Sequence, residues 1–139
     1  MLSKKTKYAL HALTFLAKSS GNGPVLISEI ASKNNIPRKF LESILLELKK
    51  NGVLDSKMGK GGGYFLYLKP SEIKVSTIIR LFDGPIALLP CASINYYQAC
   101  DECVDETICG LNKVFIDVRN ETLKILENKS IQDVINYEF

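Results

Sequence analysis

Four cysteines, Cys91, Cys100, Cys103 and Cys109, fall within nineteen positions, and the rest of the 139-residue chain has none. Thiols in that number can pair as disulfides, fill a core or ligate a metal. No export signal accompanies them, and cytosolic reductants keep thiols reduced, which counts against a disulfide framework. Asp101, Glu102, Asp105 and Glu106 stand among them, so the loop offers no apolar core for inert cysteines to fill. Metal ligation is the remaining reading. The intervening stretches are eight, two and five residues. A C-x-x-C pair is usual in structural zinc sites, where four thiolates complete a tetrahedron. The same four thiolates hold a [2Fe–2S] or [4Fe–4S] cluster, so spacing leaves zinc and iron–sulfur both open.

A second group of chemically capable residues is basic. Residues 1–74 carry 13 Lys and Arg against 5 Asp and Glu, a balance of +8, whereas residues 75–139 carry 5 against 10, a balance of −5. The net +3 of the whole chain conceals this asymmetry. A basic half suits contact with a polyanion. In the stretch "IPRKFLESILLELKKNG", Phe40, Leu41, Ile44, Leu45 and Leu48 make one apolar helix face, and Arg38, Lys39, Glu42, Ser43 and Lys49 lie away from it. Pro37 suits the first helical position and Asn51-Gly52 the end.

The elements that would carry these residues can be read in order. Tyr8, Ala9, Ala12, Leu13 and Leu16 share a face of a first helix from about Ser3 to Lys18. Its lysines and apolar run imitate a signal peptide, but His11 interrupts the run and no A-x-A cleavage site follows. Apolar runs here are shorter than the roughly 18 residues that span a bilayer, and a cytoplasmic protein with no membrane partner is expected. His11, among Leu10, Ala12 and Leu13, reads as an interior or interface residue. Ser28 can cap a second, short helix with Ile27, Ile30 and Ala31 facing inward. Two helices joined by a tight turn suit a helix-turn-helix, in which the start of the second helix reaches base edges. Val53-Leu54 and Tyr64 to Leu68 then read as two short strands around the basic tip "KMGKGGG". That glycine-rich loop precedes a strand rather than opening a helix, which excludes both dinucleotide-fold and P-loop phosphate sites.

"YALHAL", "IPRKFLESIL", "GKGGGYFLYLKP" and the cysteine loop, in that order, resemble the Rrf-two family of bacterial winged-helix transcriptional regulators, of the IscR and NsrR type, over nearly the whole chain. The resemblance implies a homodimer on a palindromic double-stranded DNA operator and, in many members, an iron–sulfur cluster. It places Glu42 and Ser43 where relatives contact bases; relatives often have Gln in place of Ser43 and a wing Arg in place of Met58. Ser28, Arg38, Lys39, Glu42, Ser43, Lys57, Lys60, Gly61 and Tyr64 are the expected DNA contacts, with Lys57, Lys60 and Tyr64 on the phosphate backbone; Tyr64 is equally a core residue of the hairpin. The resemblance also matches Cys91, Cys103 and Cys109 to the family's three cluster cysteines. Where some relatives add a histidine this chain has Asn112, and where others borrow a partner's carboxylate it has Lys7, so Cys100 becomes the fourth ligand.

In the acidic half, Leu111, Val114, Phe115, Val118, Thr122, Ile125 and Leu126 recur at helical spacing. Such a stripe packs on its own domain or on a second copy, and the resemblance favours the second copy. Ser130 with Asp133 marks a final short helix. The expected fold is mainly α with a small β-hairpin wing. Residues 1–84 would form a winged helix-turn-helix domain, 85–110 the cysteine-rich loop, and 105–139 a dimerisation helix and a short C-terminal helix. The expected function is a dimeric DNA-binding transcriptional regulator sensing redox state, nitric oxide or iron–sulfur status. The alternatives are a winged-helix regulator with structural zinc and a protein partner, or a small iron–sulfur electron-transfer protein. No nucleophile, base and orienting group combine into a catalytic constellation, and no enzyme is expected.

Overall fold

The computed structural model describes residues 1–138. Its elements are α1 (Lys4–Lys18), α2 (Ile27–Asn34), α3 (Arg38–Lys50), β1 (Leu54–Lys57), β2 (Gly63–Leu66), α4 (Val75–Asp83), α5 (Gly110–Leu126) and α6 (Ile131–Tyr137). β1 and β2 pair antiparallel, with Leu54 opposite Leu66 and Lys57 opposite Gly63. The architecture is the expected one, a winged helix-turn-helix followed by a long helix.

Local chemistry explains most of the boundaries. Ser3 caps α1, its hydroxyl accepting the Thr6 N–H at 3.2 Å. Ala9, Ala12, Leu13 and Leu16 are buried beneath α1, and the Tyr8 ring meets Phe40 of α3 edge-on with centroids 5.6 Å apart. α3 ends in a Schellman turn: Gly52 N–H donates to Lys49 and Val53 N–H to Leu48, with Gly52 at φ 73°. Two caps differ from expectation. Leu26, not Ser28, is the N-cap of α2, because the Val25 backbone is bridged to Tyr64 and the Leu26 carbonyl then accepts the N–H groups of Glu29 and Ile30. Pro37 is the N-cap of α3 rather than its first residue, its extended backbone presenting a carbonyl to the Leu41 N–H.

Leu13, Ile30, Leu41, Ile44, Leu45 and Leu48 are fully buried in one cluster with Leu54, Ile73 and Ile78. Each contributes on the order of 1.5–3 kcal/mol relative to exposure. α6, which the sequence groups with the long helix, joins this cluster instead. Ile131 is fully buried there, its N–H donates to Ile73, and the Val75 N–H donates to Lys129. Ser130 and Asp133 form the anticipated capping box. The chain thus leaves the core after α4, runs through the cysteine loop and α5, and returns through α6.

Candidate DNA-binding surface and thiol site

The basic half presents its candidate contacts outward. Ser28, Arg38, Lys39, Glu42, Ser43, Lys57, Lys60 and Gly61 are all exposed. At the start of α3, Arg38 Nε stands 3.6 Å from Glu42 Oε1, an i,i+4 pair whose partners are both more than half exposed, and such a pair contributes little stability. Either side chain is available to a ligand at small cost. The Ser43 hydroxyl donates back to the Phe40 carbonyl at 2.9 Å. Lys49 Nζ donates to Ser56 Oγ at 2.6 Å and lies 3.8 Å from Asp55, tying the end of α3 to the base of the wing.

Within the wing the glycines divide in two. Gly59 and Gly61 adopt φ of 85° and 74° with open space around them, whereas a Cβ on Gly63 would stand 2.4 Å from the Val25 carbonyl oxygen. That close approach lets Val25 and Tyr64 exchange two backbone hydrogen bonds, both 2.8 Å. Tyr64 is half-buried against the core. Met58, at the tip, is 92% exposed.

The thiols sit at the other end of the molecule's chemistry. Cys109 is the N-cap of α5, its sulfur 3.5 Å from the Asn112 N–H. Cys91, Cys103 and Cys109 are half-buried and Cys100 is exposed. Partial burial, followed by the charges at Cys109, Glu106, Cys91 and Asp105, pushes the Cys103 thiol up from its ordinary value. The charges of Cys109 and Cys91 thus both act on Cys103. Cys100 turns aside and donates to Glu102 at 3.0 Å, which raises its own pKa and lowers that of Glu102. Tyr97 donates to Glu106, and its phenol is raised chiefly by that bond.

Among the described residues, no three His, Cys, Asp or Glu side chains converge closely enough to hold a metal ion. The donor chemistry nevertheless fits iron or zinc. Residues 91–109 supply four soft sulfur donors and four carboxylates without a single Lys or Arg, so an arriving cation meets a negative field and displaces thiol protons.

A sequence profile of the family Rrf2, described as "Iron-dependent Transcriptional regulator", matches residues 2–137. The chain belongs to the Rrf2 family. It is 42% identical, over 97% of its length and 92% of the relative's, to an rrf2-like HTH-type transcriptional regulator of Rhodobacter capsulatus. Among solved structures, CymR of B. subtilis, described as "the Global Cysteine Regulator", superposes with a TM-score of 0.81 at 27% identity, covering 99% of this chain and 97% of that one. IscR of T. potens superposes with a TM-score of 0.78 at 25% identity, covering 100% and 88%. Like other Rrf2 proteins, this chain is a DNA-binding transcriptional regulator and not an enzyme. No described helix is long and apolar enough to cross a membrane.

Two features of this Rrf2 chain escaped the sequence reading. The stripe on α5 is only partly covered by the protomer: Leu111 is 67%, Val114 56% and Ile125 58% exposed and Phe115, Thr122 and Leu126 are half-buried, while Asn112 and Leu123, further round the helix, are the buried positions. Asn112 and Arg119 also bond to the cysteine loop, a role that polar residues within an apolar period do not announce. His11 is exposed in the protomer and so is not an interior residue of it, which leaves the interface placement; its apolar neighbours lie on other faces of α1.

Proposed function

We propose that the protein is a cytoplasmic homodimer that binds a palindromic operator and regulates transcription according to the state of an iron–sulfur cluster in its cysteine loop. Two copies pair through the stripe from Leu111 to Leu126. The α3 helices, one per copy, then enter major grooves about one helical turn of DNA apart, roughly 34 Å. Arg38, Lys39, Glu42 and Ser43 face base edges. Lys57, Lys60 and Gly61 approach the phosphate backbone from the wing, and Tyr64, mainly a packing residue, adds at most its phenol. Ser28 lies in the first turn of α2, where a helix approaches phosphates.

Cys91, Cys103 and Cys109 would hold the cluster with Cys100 as fourth ligand, and the bound group supplies a centre reactive toward oxidants and nitric oxide. Cys100 must leave Glu102 to join them, so it is the thiol whose position depends most on the site's state. The observation that carries the reading is Cys109. One residue is both a thiol of the loop and the cap of α5, so ordering the loop bears directly on the helix that carries the open stripe. An allosteric effect requires the two states of the dimer to differ in DNA affinity.

Protein purified without oxygen should contain iron and sulfide and absorb visible light. Alanine at Cys91, Cys103 or Cys109 should abolish that absorption while leaving the fold intact. Alanine at Cys100 should weaken it. One tightly held zinc per chain in colourless protein would replace the sensor with a structural site and leave the DNA-binding reading standing.

A further inference from the structure

The inner face of α5 carries two polar side chains that grip consecutive carbonyls of the cysteine loop. Arg119 Nη1 donates to the Ala92 carbonyl at 2.8 Å, while its Nε and Nη2 donate to Asn120 Oδ1 at 3.1 and 2.7 Å. Two turns earlier, Asn112 Nδ2 donates to the Cys91 carbonyl and to Glu106 Oε1, both at 3.4 Å. The Arg119 contact is the stronger, since 3.4 Å is near the limit of a useful hydrogen bond. Asn112 is only 5% exposed, and Ala92 and Ser93 are buried with it. Apolar side chains could bury this face without needing partners. Hydrogen bonds are directional, so a polar pair fixes which residue of the loop lies against which turn of the helix.

We propose that Asn112 and Arg119 form a polar clasp that sets the position of Cys91 relative to Cys109 and links the cysteine loop mechanically to α5. They are positioning residues. The amide hydrogens of Asn112 are committed to a carbonyl and a carboxylate, and the guanidinium of Arg119 binds no cation. The clasp's regulatory meaning rests on the site proposed above, but its geometry belongs to the metal-free chain and is tested there.

The test measures the alkylation rate of each cysteine by iodoacetamide in reduced, metal-free full-length protein, read by mass spectrometry. In Arg119→Leu the Cys91 rate should rise about fivefold, the factor expected for one lost hydrogen bond, and in Asn112→Leu by a smaller factor, while exposed Cys100 stays unchanged as the internal control. Arg119→Lys keeps a donor and should hold Cys91 near its wild-type rate. If either leucine variant is unstable, Arg119→Gln carries the same comparison. An unchanged Cys91 rate in Arg119→Leu, or equal acceleration of all four thiols, would overturn the clasp. Metal analysis of the wild type is the separate arm: a chain that binds neither iron nor zinc, yet frees Cys91 when the clasp is cut, would sink the cluster reading and leave this one standing.

Discussion

Residues 1–80 hold nearly all of the buried apolar side chains, although Leu26, Leu46, Met58 and Tyr67 stay exposed, whereas in residues 85–126 only Ala92 and Leu123 are buried apolar residues. Leu13, Leu41, Ile44, Leu45 and Leu48 are inaccessible to solvent; Leu88, Val104, Ile108 and Leu111 are 66% to 100% exposed. The first region carries the core and offers its basic surface to DNA. The second is held by a few polar contacts and a single well-buried leucine on α5, Leu123, and the proposed dimer would cover its exposed side chains. Burial is thus concentrated in one part of the chain, with α6 returning to brace it.

The contrast can be broken most forcefully in the core. Leu45→Ala should cost about 2–5 kcal/mol of stability, the range for a large-to-small change at a fully buried site, whereas Val104→Ala in the loop should stay within about 0.5 kcal/mol. Thermal or denaturant unfolding of the two variants measures both. Equal losses would mean that the loop is packed as tightly as the core. Next in size is the proposed dimer. A charge at Val118, on the open stripe, should convert dimer to monomer in sedimentation experiments while leaving helix content unchanged; a dimeric Val118→Glu would move the interface elsewhere.

Smaller effects sharpen the comparison within the basic half. Gly63→Ala forces a methyl against the Val25 carbonyl at a positive φ and should cost about 1–3 kcal/mol. Faster amide exchange at Val25 and Tyr64 would locate that loss at the bridge between wing and core. Lys60→Ala should weaken binding to all duplexes alike and lower the slope of log affinity against log salt by about one. Glu42→Ala should instead alter base preference. If Lys60→Ala changed preference alone, the wing would be reading bases.

Legibility in the sequence followed the same divide. Where one face of a helix is apolar and its own chain covers it, as for Leu13 and Leu16 of α1 or Ile44 and Leu48 of α3, periodicity identifies the buried residues directly. The hairpin was equally plain, because a glycine-rich tip separates two short apolar runs. α5 has two faces with different occupants, and hydropathy reports only the more apolar one, so its contact with its own protomer through Asn112, Arg119 and Leu123 went unread. α6 was misgrouped because proximity in sequence to α5 says nothing of Ile131 reaching Ile73. The caps of α2 and α3 shifted by one or two positions because tertiary hydrogen bonding at Val25 and the extended backbone at Pro37 set them. The thiols were conspicuous by type, but how closely they approach one another depends on loop backbone that no periodicity encodes.

Under the proposed function, the cysteine loop controls DNA binding by the other half of the molecule. The most direct measurement of that control is the affinity of one operator duplex for the anaerobically purified dimer and for the same dimer after its metal is removed, at fixed salt. Affinities differing by about fivefold or more are expected, as a coupling of 1–3 kcal/mol requires. Identical affinities in a dimer that demonstrably lost its cluster would contradict it.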